Sequence, residues 1–255
     1  TGVPEGCSVA IDILGKVIVR VGFAHEGQGQ YTIATQLLAD FFGVELADVQ
    51  VVPQDSLSAP PHFGPGGSRL GVALAGAVLG AAEKLTQKLS LVAAHLLQTE
   101  AGKIEFRDGA FAIRGVPGAM LSLAQVAGTM LARSDLLPPG VEPSPEATYV
   151  WTAPGRTQPD ELGRAKSYLT AANACHVVAI EIDRETGRVG ILDYFIADDC
   201  GTRLNPATVE GMIQGGVAQG IGAALLEEYH YDASGQPLTS TLMDYLLPTI
   251  HDVPE

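Results

Sequence analysis

The run His25-Glu26-Gly27-Gln28-Gly29-Gln30 lies where a strand-like stretch gives way to an amphipathic helix. Glycines at the mouth of a helix let backbone N–H groups approach an anion, which the helix N-terminus already favours. Gln28 and Gln30 add carboxamides, which do no acid–base work near neutral pH but can grip an oxo group, a heterocycle edge or a phosphate. A second cradle is Gly64-Pro65-Gly66-Gly67-Ser68-Arg69. There Gly66 and Gly67 free the backbone, Ser68 brings a hydroxyl, and the planar fork of Arg69 suits phosphate. A third Gly/Gln-rich stretch, residues 214–222, carries Gln214, Gln219 and Gly220 and reads as a turn at a helix start, like the first. Together these predict a large, anionic, multiply hydrogen-bonded ligand held by both halves of the chain.

Other polar residues read as structural. His25 and His62 have no second ligand at metal spacing, so they are loop histidines. Glu26 sits near a helix start, where an acid usually serves the dipole. Glu227 and Glu228 read as a solvated helix face, and Asp244-Tyr245 as packing. Cys200, between Asp199 and Gly201 in a polar turn, is the one thiol with an exposed, reactive alternative to inert packing.

The elements that would position these groups follow from periodicity. Residues 8–13 and 16–24 form a hairpin about Gly15; residues 31–42 carry Ile33, Leu37, Leu38, Phe41 and Phe42 at helical spacing, and Gly43 stops the helix. A strand at 49–53 leads into an irregular loop, residues 54–69, and then a long Ala/Leu helix over about 72–98. Asp108-Gly109 marks another hairpin, and Ser122 caps a short helix. Residues 136–158, rich in Pro and single aromatics with Trp151 as a packing anchor, read as a connection between lobes. Strands at 177–183 and 189–197 flank Glu185-Thr186-Gly187, followed by a helix from about 207 that meets Gly215-Gly216 and a second helix over 217–228. The shared order of 7–30 and 175–219 (Cys, strand, Gly turn, strand ending in Ala, Gly/Gln segment) points to an internal duplication. The expected fold class is α+β: two related lobes, residues 1–158 and 159–255, each a β-hairpin plus helices packed on a mixed sheet, with a cofactor cleft between them.

Composition sets the bounds. With 255 residues, 46% hydrophobic and 17% charged, the chain can bury one large core or two smaller ones. A formal charge of −14 argues against a nucleic-acid groove or an anionic membrane surface and leaves small ligands and protein partners. Cys7, Cys175 and Cys200 form neither a metal set nor an even disulfide framework, so reduced thiols in a cytoplasmic setting are expected. No apolar stretch is long enough to span a bilayer. The absence of an initiator Met before Thr1, and an ending straight after a polar turn, suggest a piece of a longer protein.

Five ordered motifs carry a family likeness: Gly27-Gln28-Gly29-Gln30; Gly66-Gly67-Ser68-Arg69; Asp199-Cys200-Gly201 through Asn205-Pro206; Glu210-Gly211 through Gln214-Gly215-Gly216 and Gln219-Gly220-Ile221-Gly222; and Met243-Asp244-Tyr245-Leu246-Leu247-Pro248. Together they resemble the molybdopterin-binding part of the molybdenum hydroxylase large subunit, the family of xanthine dehydrogenase, aldehyde oxidoreductase and aerobic carbon monoxide dehydrogenase. The Gly-Gly-Ser-Arg form is more similar to the carbon monoxide dehydrogenase type. The resemblance implies an oxidoreductase with a molybdenum–molybdopterin cofactor, expected in its cytosine dinucleotide form, that hydroxylates an aldehyde, N-heterocycle or CO-like substrate with oxygen from water. It implies an iron–sulfur subunit, an FAD subunit and the rest of the large subunit as partners. By motif, Gln28 and Gly29 would contact the metal's oxo ligand and the pterin, with no residue ligating the metal directly. Ser68 and Arg69 would meet the pterin phosphate region, and Cys200, Asn205, Gln214 and Gln219 the dinucleotide or pterin side. The family's glutamate base belongs to a Gly-Glu motif downstream of Glu255, so no catalytic residue is assigned and the chain by itself is expected to be inactive. Gln30 stands where the carbon monoxide dehydrogenase type often has His. The competing reading is a non-catalytic module that binds a pterin or nucleotide, or serves assembly.

Overall fold

The structure, a computed structural model, describes residues 3–155, 158–166 and 170–254. The chain divides into two compact units, Thr1–Leu169 and Thr170–Glu255, where the sequence suggested a boundary at Gln158.

The first unit is built around strand β1 (Glu5–Ile11), every residue of which is buried. It pairs antiparallel with β2 (Val17–Val21), and β2 pairs parallel with β3 (Val49–Pro53), the crossover between them being helix α1 (Gln30–Phe42). The resulting mixed sheet has the order β3-β2-β1-β7, with β7 at Glu146–Trp151. Its fourth strand, β7, corrects the expected linker, because residues 146–151 pair with β1 in the register Cys7↔Tyr149. Helix α2 (Leu70–Leu96) lies against β1 and β7, with a small-residue face of Ala73, Ala77 and Ala81 that lets it approach closely. Gly76 and Gly80 sit one turn apart, and a Cβ on either would fall 2.4 Å from the Trp151 ring or 2.3 Å from the Tyr149 ring. The rings of β7 therefore seat directly on the helix backbone, and Trp151 is the expected anchor.

The rest of the first unit follows local rules. Gly43 ends α1 in the left-handed region (φ 64°), and its N–H returns to Ala39 O. Strands β4 (Ile104–Arg107), β5 (Ala110–Ile113) and β6 (Met120–Ser122) make a second sheet, whose Phe106 packs on its neighbour Phe111 and meets Phe41 and Phe42 at the end of α1. Ser122 and Gln125 close a reciprocal capping box on α3 (Leu123–Ala132).

In the second unit the described strands form one antiparallel pair, β8 (Asn173–Ile182) with β9 (Val189–Asp199), rather than a mixed sheet. Val177, Ile180, Ile182, Leu192 and Phe195 are all exposed on it. Helix α4 (Pro206–Leu225) is continuous, so the two helices expected on either side of Gly215-Gly216 are one. Each of its five glycines costs a helix interior about 1 kcal/mol, so the continuity of α4 does not come from local propensity. After α4, Tyr245 packs on Tyr229 and donates to Glu227 at 2.6 Å, so Glu227 is bonded rather than only solvated.

Candidate functional site

The first cradle forms where β2 ends. The chain passes through Gly22 and Phe23, turns outward, and re-enters as α1, capped by Gly29 (φ 77°), with Gly27 also left-handed (φ 88°). No side chain caps α1 and its first turn holds no acid, so its leading N–H groups stay open to a ligand at the positive end of the helix. The loop is closed internally. His25 Nδ1 accepts the Gly27 N–H at 3.0 Å, its ring meets Tyr31 edge-on at 4.9 Å, and Tyr31 Oη donates to Phe23 O at 2.7 Å. Gln28 is exposed, whereas Gln30 is buried; Gln30 Nε2 donates to Gln28 Oε1 at 3.4 Å, and Gln30 Oε1 has no partner among the described residues. That bond leaves the Gln28 amide nitrogen free to donate outward.

The second cradle precedes α2. Gly64, Gly66, Gly67 and Ser68 have φ of 77°, 145°, 63° and 54°, and Ser68 is one of few non-glycine residues in that region. A non-glycine residue held there stores on the order of 1–3 kcal/mol of strain and persists only when its surroundings impose it. The N–H groups of Gly66, Gly67 and Ser68 are exposed and find no acceptor among the described residues. Helix α2, like α1, has no side-chain cap and no acid in its first turn.

Arg69 is placed differently from its sequence reading. Its side chain is turned inward and buried, donating to the Glu5 carboxylate, to Gly64 O at 2.8 Å and to Val3 O at 2.8 Å. The guanidinium therefore braces the loop from beneath, and the donors facing solvent are backbone N–H groups. Burial decides this, since a guanidinium removed from water must spend its fork on a carboxylate and carbonyls.

The two cradles are neighbours. A Cβ on Gly64 would lie 3.3 Å from Phe23 Cβ, and the same Phe23 supplies the carbonyl that holds Tyr31 of α1. The loops that lead into the two open helix N-termini thus touch at one residue, Phe23; open backbone N–H groups and carboxamides can hydrogen-bond anions and ring edges but cannot transfer protons.

The second unit's predicted residues fall elsewhere. Gln214, Gln219 and Gly220 lie inside α4, so the expected turn is helix and its N–H groups are committed to the helix ladder. Five residues apart, the two glutamines point about 140° away from each other around the axis. Asn205 caps α4, its Oδ1 accepting Thr208 N at 3.0 Å ahead of Pro206. Cys200 is exposed, beside an Asp199 side chain that accepts the Gly201 N–H at 3.0 Å. Among the described residues no His, Cys, Asp and Glu group could hold a metal, and no helix is long and apolar enough to cross a membrane. Sequence reasoning missed Glu5; its signal was a lone acid at the head of an otherwise apolar strand, Glu5-Gly6-Cys7-Ser8-Val9-Ala10-Ile11.

The model of the molybdopterin cofactor-binding domain matches residues 1–254. The chain belongs to that family. It is 31% identical over 253 residues to the carbon monoxide dehydrogenase large chain of Hydrogenophaga pseudoflava, covering 99% of this chain and 30% of that one. It is 33% identical over 246 residues to the nicotine 6-hydroxylase large subunit of Paenarthrobacter nicotinovorans, covering 96% and 29%. Among solved structures, quinoline 2-oxidoreductase from Pseudomonas putida 86 superposes with a TM-score of 0.84 at 36% identity, covering all of this chain and 31% of its own. The chain therefore corresponds to a molybdopterin-binding portion, about three-tenths of the length, of molybdenum hydroxylase large subunits.

Proposed function

We propose that this chain is the cofactor-holding portion of a molybdenum hydroxylase in which the anionic, pterin-bearing end of the cofactor rests on the two helix N-termini of the first unit. The observation that carries this reading is the pair of glycine-opened and uncapped helix starts whose loops touch at Phe23, one with Gln28 and Gln30, the other with Gly66, Gly67 and Ser68. When bound, the molybdenum–pterin group supplies the oxidation of a substrate carbon with oxygen from water. The chain's own residues bind and orient: open N–H groups take the phosphate oxygens, and Gln28 offers its amide to the pterin or to the metal's oxo ligand. None is a titrating group, which suits a site where the cofactor carries the chemistry.

In the second unit, exposed Cys200, Gln214 and Gln219 are the residues with groups still available to a dinucleotide tail, the two glutamines on different faces of α4; Asn205 and Gly220 would serve it through the shape of α4 and its cap. The cytosine dinucleotide form, a cleft between two lobes, iron–sulfur and FAD subunits as electron acceptors, a cytoplasmic location and a small aldehyde, heterocycle or CO-like substrate complete the reading. They rest on motif likeness and on relatives that are large chains of carbon monoxide dehydrogenase and nicotine 6-hydroxylase. The test is metal and nucleotide analysis of the protein purified with its accompanying subunits, alongside Gln28→Ala. Stoichiometric molybdenum and cytosine dinucleotide, reduced in the variant, is the expected result. Folded, active protein lacking both would overturn the reading.

A further inference from the structure

The floor of the second cradle is an ion pair that no motif announces. Glu5 is wholly buried at the head of β1 and Arg69 nearly so at the head of α2, sixty-four residues apart. Glu5 Oε2 accepts from the Arg69 guanidinium and from the N–H groups of Phe63 (3.4 Å) and Gly64 (3.3 Å). Arg69 in turn donates to Gly64 O and to the carbonyls of Val3 and Pro4, and its guanidinium lies 5.6 Å from the Phe63 ring centre. The loop's incoming arm presses on the same strands: a Cβ on Gly6 would come within 2.7 Å of Pro61 O, and one on Gly22 within 2.2 Å of the His62 ring.

Stability alone does not account for the pair. Glu5 Oε1 and Arg69 Nε are buried without partners among the described residues, and an apolar pair of similar volume is often as stable as a buried salt bridge or more so. What the pair does that an apolar one would not is grip both ends of the 64–68 segment, where the backbone holds positive φ at four residues and Gly66, Gly67 and Ser68 stay exposed. We propose that Glu5 is a positioning residue which, through Arg69, holds the 64–68 cradle ready for a phosphate or diphosphate before the ligand arrives. This rests on the cofactor-cradle reading above.

Charge separates this role from simple neutralisation of Arg69. Removing a negative charge beneath an anion site tightens anion binding on Coulomb grounds, so weaker binding must come from lost geometry. The experiment is calorimetric titration of the cofactor-free full chain with inorganic pyrophosphate. Glu5→Gln is expected to weaken binding about tenfold; unchanged or tighter binding overturns the proposal. If Glu5→Gln does not fold, the doubly apolar Glu5→Leu/Arg69→Met variant decides, with the same tenfold loss expected and binding within twofold of the parent overturning it. Gly67→Val tests the cradle itself. If it abolishes pyrophosphate binding while the Glu5 variants leave binding intact, the strut is wrong and the cradle stands. If it leaves binding intact, the cradle reading fails and the strut's role fails with it.

Discussion

The two units begin alike and end unlike. Each has an antiparallel hairpin followed by a helix, β1–β2 then α1, and β8–β9 then α4. In the first, the hairpin gains a strand on either side and a long helix across it, so β1 is buried along its whole length. In the second, every residue of β8 is exposed and the described strands recruit no further partner. The same local order thus yields a rigid platform in one case and an uncovered ribbon in the other. A hairpin's side chains decide only which faces could be buried; neighbours decide whether they are.

The widest contrast to test is thiol reactivity. Burial, with a smaller contribution from the nearby Glu5 carboxylate, pushes Cys7 in β1 up to about 12 from an ordinary 9.0, whereas Cys175 and Cys200 are exposed. The raised Cys7 pKa and its inaccessibility together predict that iodoacetamide modifies the second unit's exposed cysteines at least about a hundredfold faster than Cys7. Mass spectrometry of labelled native protein checks this, and comparable rates would break the contrast.

Next in size is packing. Leu85 in α2 is wholly buried, and Leu85→Ala should cost about 2–5 kcal/mol in a urea titration. Phe195 on β9 is 63% exposed, and Phe195→Ala should cost under about 1 kcal/mol, chiefly its cross-strand contact with Val177. A Phe195 effect as large as Leu85's would show that the ribbon is covered in solution.

The smallest effect is where the units should agree. Ser122 caps α3 in the first and Asn205 caps α4 in the second, each side chain accepting a backbone N–H three residues on. Ser122→Ala and Asn205→Ala should each cost about 1 kcal/mol, read as faster amide exchange in the first turn of the helix concerned. Equal losses would place the difference between units in tertiary packing rather than in local structure.

Much of the fold was legible. Alternation and Gly15 marked the first hairpin, helical spacing and Gly43 marked α1, and Ser122 marked α3. β7 was hidden because Pro138, Pro139, Pro143 and Pro145 make its approach look like linker, while its pairing is with a strand about 140 residues earlier. The stretch of residues 214–222 misled for the opposite reason: the same Gly/Gln composition opens a helix at Gly29 but continues one at Gly215, because Asn205 and Pro206 had already started α4 upstream.

By itself, the sequence determined where the chain can turn and which backbone N–H groups can be bared, since glycine's freedom and helix-start chemistry are local properties. It thereby marked both glycine-rich loops, at residues 27–30 and 64–69, and carried the family likeness with them. Only the tertiary structure decided that the cradles adjoin through Phe23, that Arg69 points inward to Glu5, and that β7 completes the sheet. Those are choices of partner across many residues, set by which groups must share a buried space, and no local pattern encodes them.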